Sequence, residues 1–353
     1  RYRVAGEIAR GGVGAVYRAH DVDLGRDVAL KVLLDDHRRS PDMMRRFIEE
    51  AQIGGQLQHP GIVPIYELGL QADRRPYFTM KLIRGETFAS LLAKRESDPG
   101  AERRFLRAFE SVCQTMAYAH SRGVIHRDLK PSNIMVGRFG EVQVVDWGFA
   151  KVLASGGVAD ERRARKRAAE DTVVATVRSE SDGSDSIDGT ILGTPAYMPP
   201  EQALGQVDDL DERADVFSLG GILCEILTGK PPYVTDDTTA VAKAVRSDLA
   251  GAFDRLEACA ADPELVNLTR ACMSPLRTDR PQDANVLAEQ IGTYLASVEE
   301  RAHRSAVEQA EAEAETARTE REATEARTRA QKARQSAREA QARAEQQVAC
   351  LLY

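Results

Sequence analysis

Over the first eighty residues the apolar positions fall in short runs broken by glycine, aspartate and proline, the punctuation of strands and turns. The runs predict strands over Val4–Ile8, Ala15–Ala19, Asp27–Leu33, Ile62–Leu68 and Tyr77–Leu82. One helix interrupts them, Pro41 to Leu57, where Met44, Phe47, Ile48, Ala51 and Leu57 keep near-helical spacing behind a Ser40-Pro41 start. From Ser90 to about Ala296 the period turns helical, over Phe105–Ser121, Asp215–Thr228, Thr239–Arg246, Pro263–Met273 and Gln282–Leu295. The expected class is α+β: a small β-rich part with one helix, then a larger helical part.

Two stretches depart from this pattern. Between about 155 and 189 a basic run, Arg162 to Arg167, precedes a Ser/Asp/Gly-rich tract, with too few large apolar residues to offset the entropy of ordering them. It is expected to be a mobile insertion. Beyond Ser297 the chain is almost wholly Ala, Glu, Arg, Gln and Thr, without proline or glycine, as a long exposed helix requires. Ala323, Ala326, Ala330, Ala333, Ala337, Ala340 and Ala344 form a heptad seam of alanine alone, whose contacts bury little. A solvated spacer helix and a weak coiled coil both fit 297–353.

The 353 residues are 42% hydrophobic, enough for a large core. A formal net charge of −7 lacks the overall basic footprint of a nucleic-acid binder, so no nucleic-acid partner is expected. Cys113, Cys224, Cys259, Cys272 and Cys350 are scattered and odd in number, and read as reduced thiols of a cytoplasmic protein. No apolar run approaches the roughly 20 residues needed to span a bilayer. The start at Arg1 and the end at Tyr353 suggest a segment of a longer protein, with membrane contact only through a segment following Tyr353.

Several residues invite a chemical reading. Gly11, Gly12 and Gly14 lie between two strand-like runs, where backbone N–H groups without neighbouring Cβ atoms can approach phosphates; a plain glycine hairpin reads the same way. Lys31 sits mid-strand among apolar residues and needs an anion, which Glu50 on the following helix can supply, with Glu49 beside it as a rival. In His126-Arg127-Asp128-Leu129-Lys130-Pro131-Ser132-Asn133 and Asp146-Trp147-Gly148, Asp128 can accept a hydroxyl proton and Lys130 can neutralise a phosphate. Asn133 and Asp146 offer the hard oxygen ligands of Mg²⁺.

These motifs occur in order with Gly193-Thr194-Pro195-Ala196-Tyr197-Met198-Pro199-Pro200-Glu201, Asp215 to Gly220, and Arg280-Pro281. Together they make residues 2 to 296 resemble the eukaryotic-like protein kinase superfamily, in its bacterial serine/threonine branch. The resemblance implies a bilobal kinase fold, with an N-lobe at 1–83, a C-lobe at 84–296 and the insertion inside its activation segment. It implies transfer of the γ-phosphoryl group of ATP to Ser/Thr hydroxyls of proteins, with Mg²⁺, or Mn²⁺ in its place, as metal.

Residue by residue, the resemblance assigns Ala9, Gly11, Gly12, Gly14 and Val16 to the lid over ATP. Lys31, paired with Glu50, falls to its α and β phosphates. Ala29, Met80 as gatekeeper and Lys81, Leu82 and Ile83 as hinge fall to adenine. Asp128 is similar to the catalytic base, and Asn133 and Asp146 to the metal ligands. Thr194 would bond Asp128 and Lys130, and Glu201 would pair with Arg280. Asp215 belongs to the same supporting framework.

Three positions depart from the pattern: Ala9 replaces the first loop glycine, Trp147 the usual phenylalanine, and Pro199 the usual alanine. The insertion is expected to carry regulation. Thr172, Thr176, Ser181, Ser184, Ser186 and Thr190 are its candidate phosphorylation sites, and Arg127 is the group that would grip a phosphate. A homodimer through the kinase lobe or the C-terminal helix stays open. The alternatives are a pseudokinase, against which Lys31, Glu50, Asp128, Asn133 and Asp146 all speak, and a signalling scaffold working through the C-terminal helix.

Overall fold

The computed structural model describes residues 1–95, 100–153, 193–234 and 237–351. The chain forms two compact units, Arg1–Thr293 and Tyr294–Tyr353. The first opens with a five-stranded antiparallel sheet in the order β1-β2-β3-β5-β4. Its strands are β1 (Tyr2–Arg10), β2 (Gly14–Asp21), β3 (Arg26–Leu33), β4 (Ile65–Leu70) and β5 (Pro76–Lys81). Helix α1 (Pro41–Gln56) crosses this sheet, capped by Ser40, whose Oγ accepts the Met43 amide, with Pro41 at its first position. Its apolar stripe lays Phe47 and Ala51 on Leu33 and Phe78, and the rings of Phe47 and Phe78 stand 5.1 Å apart. That packing fixes the helix, and the Glu50 it carries, against β3.

The strand expected from Ile62 begins only at Ile65. Pro64 lacks the amide hydrogen a strand needs, and Ile62 instead bridges Val144 in the helical part.

The helical part is built around α5 (Glu212–Thr228), with fourteen of its 17 residues buried, too many for an amphipathic surface helix. It ends at Gly229, in the left-handed conformation at φ 78°. Around it lie α3 (Ala101–Ser121) and α8 (Pro263–Cys272), preceded in the chain by α2 (Phe88–Ala93), α4 (Pro200–Ala203), α6 (Asp237–Val245) and α7 (Ala250–Ala258). Short strands β6 (Gly85–Thr87), β8 (Ile134–Gly137) and β9 (Val142–Val144) form one sheet, and β7 (Val124–Ile125) pairs with β10 (Lys151–Val152). The α+β architecture is that expected.

Three short helices escaped the periodicity, α2, α7 and the four-residue α4. The six-residue α2 begins one residue after Thr87, whose hydroxyl caps it through the Ser90 amide; α7 has neither a side-chain cap nor a long apolar stripe. The helix expected over Gln282–Leu295 does not stop. It runs from Ala284 to Leu351 as α9, because nothing beyond residue 295 breaks a helix. In the second unit every residue from Glu299 to Ala344 is exposed, and pairs such as Arg304–Glu300, Arg318–Glu322 and Arg329–Glu325 join successive turns.

Candidate active site

The turn between β1 and β2 is closed by the Gly11 amide bonding the Gly14 carbonyl at 2.9 Å. A Cβ at Gly14 would lie 3.0 Å from the Val32 carbonyl and 3.3 Å from the Lys31 chain, so β2 approaches β3 this closely only with glycine there. A Cβ at Gly12 would face open space, and one at Gly11 would meet the Gly14 carbonyl at an ordinary 3.9 Å. Ala9 pairs with Val16, Val16 with Lys31, and Ala29 with Met80 in the strand registers. Met80 packs on the Leu33–Phe47–Phe78 cluster, and the Lys81 amide bonds the Pro64 carbonyl. Leu82 and Ile83 follow immediately after β5.

Lys31 on β3 reaches Glu50 Oε1 at 2.5 Å and Asp146 Oδ1 at 3.4 Å. Burial works against the ammonium's charge, but the two carboxylates outweigh it and hold its pKa above that of an ordinary lysine. At Asp146, burial is likewise outweighed by Lys31, His126 and Lys130, which keep its carboxyl below the ordinary aspartate value. Asp146 follows directly on Val142–Val145 with φ 64°, left-handed for a residue with a side chain. Of the two rivals Glu49 and Glu50, the structure pairs Glu50 with Lys31.

Asp128 is buried, in the loop whose Asn133 carbonyl accepts the Val145 amide next to Asp146. Its Oδ1 accepts the Thr194 hydroxyl at 2.8 Å, and its Oδ2 receives Lys130 Nζ at 2.8 Å and Asn133 Nδ2 at 3.2 Å. Lys130 Nζ also donates to Thr194 Oγ1 at 2.5 Å. The Asn133 amide nitrogen further donates to the Asp128 carbonyl, which leaves its amide oxygen as the acceptor of that side chain.

The loop carrying these groups is held from below. Asp215 on α5 accepts the backbone amides of His126 at 2.8 Å and Arg127 at 2.9 Å, and so pins Arg127 at φ 64°. His126 Nδ1 accepts the Asp128 amide, its Nε2 faces the Val145 carbonyl at 3.2 Å, and its ring lies 4.8 Å from Trp147. Trp147 is buried, its indole donating to the Val144 carbonyl. Arg127 Nε donates to the Phe149 carbonyl at 2.5 Å.

Glu201, one residue after the Pro199-Pro200 pair, meets Arg280 in a two-toothed pair at 2.7 and 2.9 Å, with both side chains buried. Gly193, at φ 116°, lies where a Cβ would stand 2.6 Å from Gln202 Nε2. Thr172, Thr176, Ser181, Ser184, Ser186 and Thr190, with the insertion that contains them, lie outside the described residues.

Sequence reasoning missed His120. Its Nδ1 accepts the Ala284 amide at 3.3 Å, so its Nε2 carries the proton and donates to Asp215 Oδ2 at 3.0 Å. The signal was there: on α3, Phe105, Phe109, Val112 and Met116 mark a buried face that His120 extends at helical spacing, and a histidine there needs a partner. Also missed was Tyr197, which donates to Glu225 Oε2 at 2.5 Å across from α5.

A lysine–carboxylate pair under a glycine-bearing turn, facing a buried aspartate, an asparagine and a second aspartate, is the equipment of a phosphoryl-transfer enzyme. The residues fit ATP and a divalent metal by their chemistry: one cation paired in the cleft, an ionised carboxylate beside it, and an amide oxygen left over as acceptor.

The protein kinase domain family matches residues 2–291. The chain is 36% identical over 244 residues to serine/threonine-protein kinase PknD of Protochlamydia amoebophila (strain UWE25), covering 66% of this chain and 23% of that protein. It is 38% identical over 244 residues to serine/threonine-protein kinase PknD of Chlamydia trachomatis serovar L2b, covering 66% and 25%. It is 34% identical over 279 residues to serine/threonine-protein kinase PknB of Mycobacterium tuberculosis (strain ATCC 25177 / H37Ra), covering 78% and 40%. The matched parts thus span less than half the length of these relatives. The chain belongs to the protein kinase family, among the bacterial eukaryotic-like serine/threonine kinases. It carries the protein kinase domain of that family, a class that uses ATP with a divalent metal.

Proposed function

We propose that this chain, with a kinase N-lobe at 1–83 and C-lobe at 84–296, phosphorylates serine and threonine hydroxyls of proteins, its own activation segment included, in the cytoplasm and with Mg²⁺. The observation that carries the proposal is the joining of Lys31–Glu50–Asp146 to the Asp128–Asn133 pair, through the Asn133 carbonyl that accepts the amide of Val145 beside Asp146. When bound, Mg-ATP supplies the transferable phosphoryl group and the cation that screens its charge.

The chain's own residues supply position and proton handling. Gly11, Gly12 and Gly14 form the lid, with Ala9 in place of a further glycine, and Val16, Ala29, Met80 and the Lys81–Ile83 backbone frame the adenine. Lys31, held by Glu50, gives the phosphates a fixed cation, and Asn133 and Asp146 offer oxygen ligands to the metal. Asp128 takes the proton of the substrate hydroxyl at its carboxylate, and Lys130 offsets charge on the phosphate side. Glu201 and Arg280 brace the segment that receives the substrate. Arg127 becomes the phosphate grip once a threonine or serine of the insertion is modified. The exposed helix of the second unit is the surface through which two copies associate. Cytoplasmic placement is supported by the free thiols of Cys113, Cys224, Cys259 and Cys272. Among the described residues no helix is long and apolar enough to cross a membrane.

The test is incubation of purified wild type and Asp146→Asn with Mg-ATP and a general protein substrate, with phosphosites located by mass spectrometry. Phosphoserine or phosphothreonine in wild type alone is the expected result. No phosphate in either protein, with ATP still bound, would move the reading to a pseudokinase.

A further inference from the structure

The second unit presents a helix whose residues from Glu299 to Ala344 are all exposed, including the alanine seam. Extended toward its start with the same alternation of three and four, the seam continues through Thr319, Thr316, Ala312, Gln309, Ser305 and Ala302. Residues of such small bulk bury little, so the charges flanking the seam decide what can lie against it. Those charges are sorted by position. After Arg301 at its very start, the flanking positions of the first half carry Glu308, Glu313, Glu315, Glu320 and Glu322 and no further base. Those of the second half carry Arg327, Arg329, Arg334 and Arg343 and no acid.

Building on the self-association proposed above, we infer that two copies pair through this helix in antiparallel register, with Ala323 of one copy layered on Ala326 of the other. In that register Glu320 faces Arg327 of the second copy, Glu322 faces Arg329, Glu313 faces Arg334 and Glu308 faces Arg343. Each contact occurs twice by the two-fold axis. A parallel pair in register would set Glu308 against Glu313, Glu315 against Glu320 and Arg329 against Arg334, and would match charge only at Glu322 with Arg327. The helix is therefore complementary to its own reverse and repels its own parallel copy. Glu322 and Arg329 already pair one turn away with Arg318 and Glu325, in exposed contacts weak enough to be exchanged for a facing helix.

Sedimentation of the full chain at about 100 µM, where even a weak complex forms, should show a dimer that loosens with salt. Combining E308K, E313K, E320K and E322K should raise the dissociation constant by roughly 100-fold or more. Adding R327E, R329E, R334E and R343E to the same chain should restore the dimer. For orientation, T316C and A333C are made separately with Cys350→Ser. Oxidation should link them to each other when mixed and link neither alone, because Thr316 is layered on Ala333 of the second copy. A monomer at that concentration, or a dimer untouched by the four lysines, overturns association through this helix. A dimer in which T316C links to itself leaves self-association standing and overturns the antiparallel register.

Discussion

Asp128, proposed above to take the substrate proton, is held by three neighbours: a hydroxyl, an ammonium and an amide, each within 3.2 Å. Asp128→Asn keeps shape and most of these bonds while removing the basic oxygen. It should lower the phosphorylation rate by about 10² to 10⁴-fold with the melting temperature nearly unchanged, as a radiolabel-transfer assay beside a thermal melt would show. Asp215 is a different case. Burial alone would push its carboxyl up, yet the hydrogen bonds from His120 and the His126 amide hold it below the ordinary aspartate value. Its contribution to stability is therefore complete above about pH 4 and disappears as pH falls through the lower folded value. Thermal melts at descending pH should show a loss below pH 4 that is shallower in Asp215→Asn, whose starting stability is lower because the amide returns only one acceptor to two backbone donors.

At the scale of elements, the buried Glu201–Arg280 pair ties the turn at Pro200–Ala203 to the loop before α9. Arg280 also donates to the Ser274 and Pro275 carbonyls, so its removal strands a buried carboxylate and several acceptors together. Arg280→Ala should cost about 3–5 kcal/mol in chemical denaturation, whereas replacing both partners by apolar residues should cost less. These couplings explain what was legible. The glycine loop, Lys31, Asp128, Asn133 and Asp146 sit in motifs whose residue types announce their chemistry. The Lys31–Glu50 pairing could only be one of two choices until Phe47 and Ala51, packed on Leu33 and Phe78, set the rotation of α1 and turned Glu50 toward β3.

At the scale of the whole molecule, every residue of the terminal helix from Glu299 to Ala344 is exposed. A chain ending at Ala306 should keep its phosphorylation activity and melt within about 2 °C of the longer one, measured by calorimetry. Local pattern alone determined the α+β class, most of the strands and helices, the long terminal helix and the identity of the chemical groups, because these depend on side-chain period, chain breakers and residue type. Tertiary structure decided the rest. It started β4 after Pro64 because Ile62 found a partner in β9, and it placed His120 on the Asp215 that holds the backbone of the Asp128 loop. It also held Arg127 and Asp146 in left-handed backbone. Those outcomes rest on contacts between residues some 80 to 160 positions apart in sequence, which no window along the chain contains.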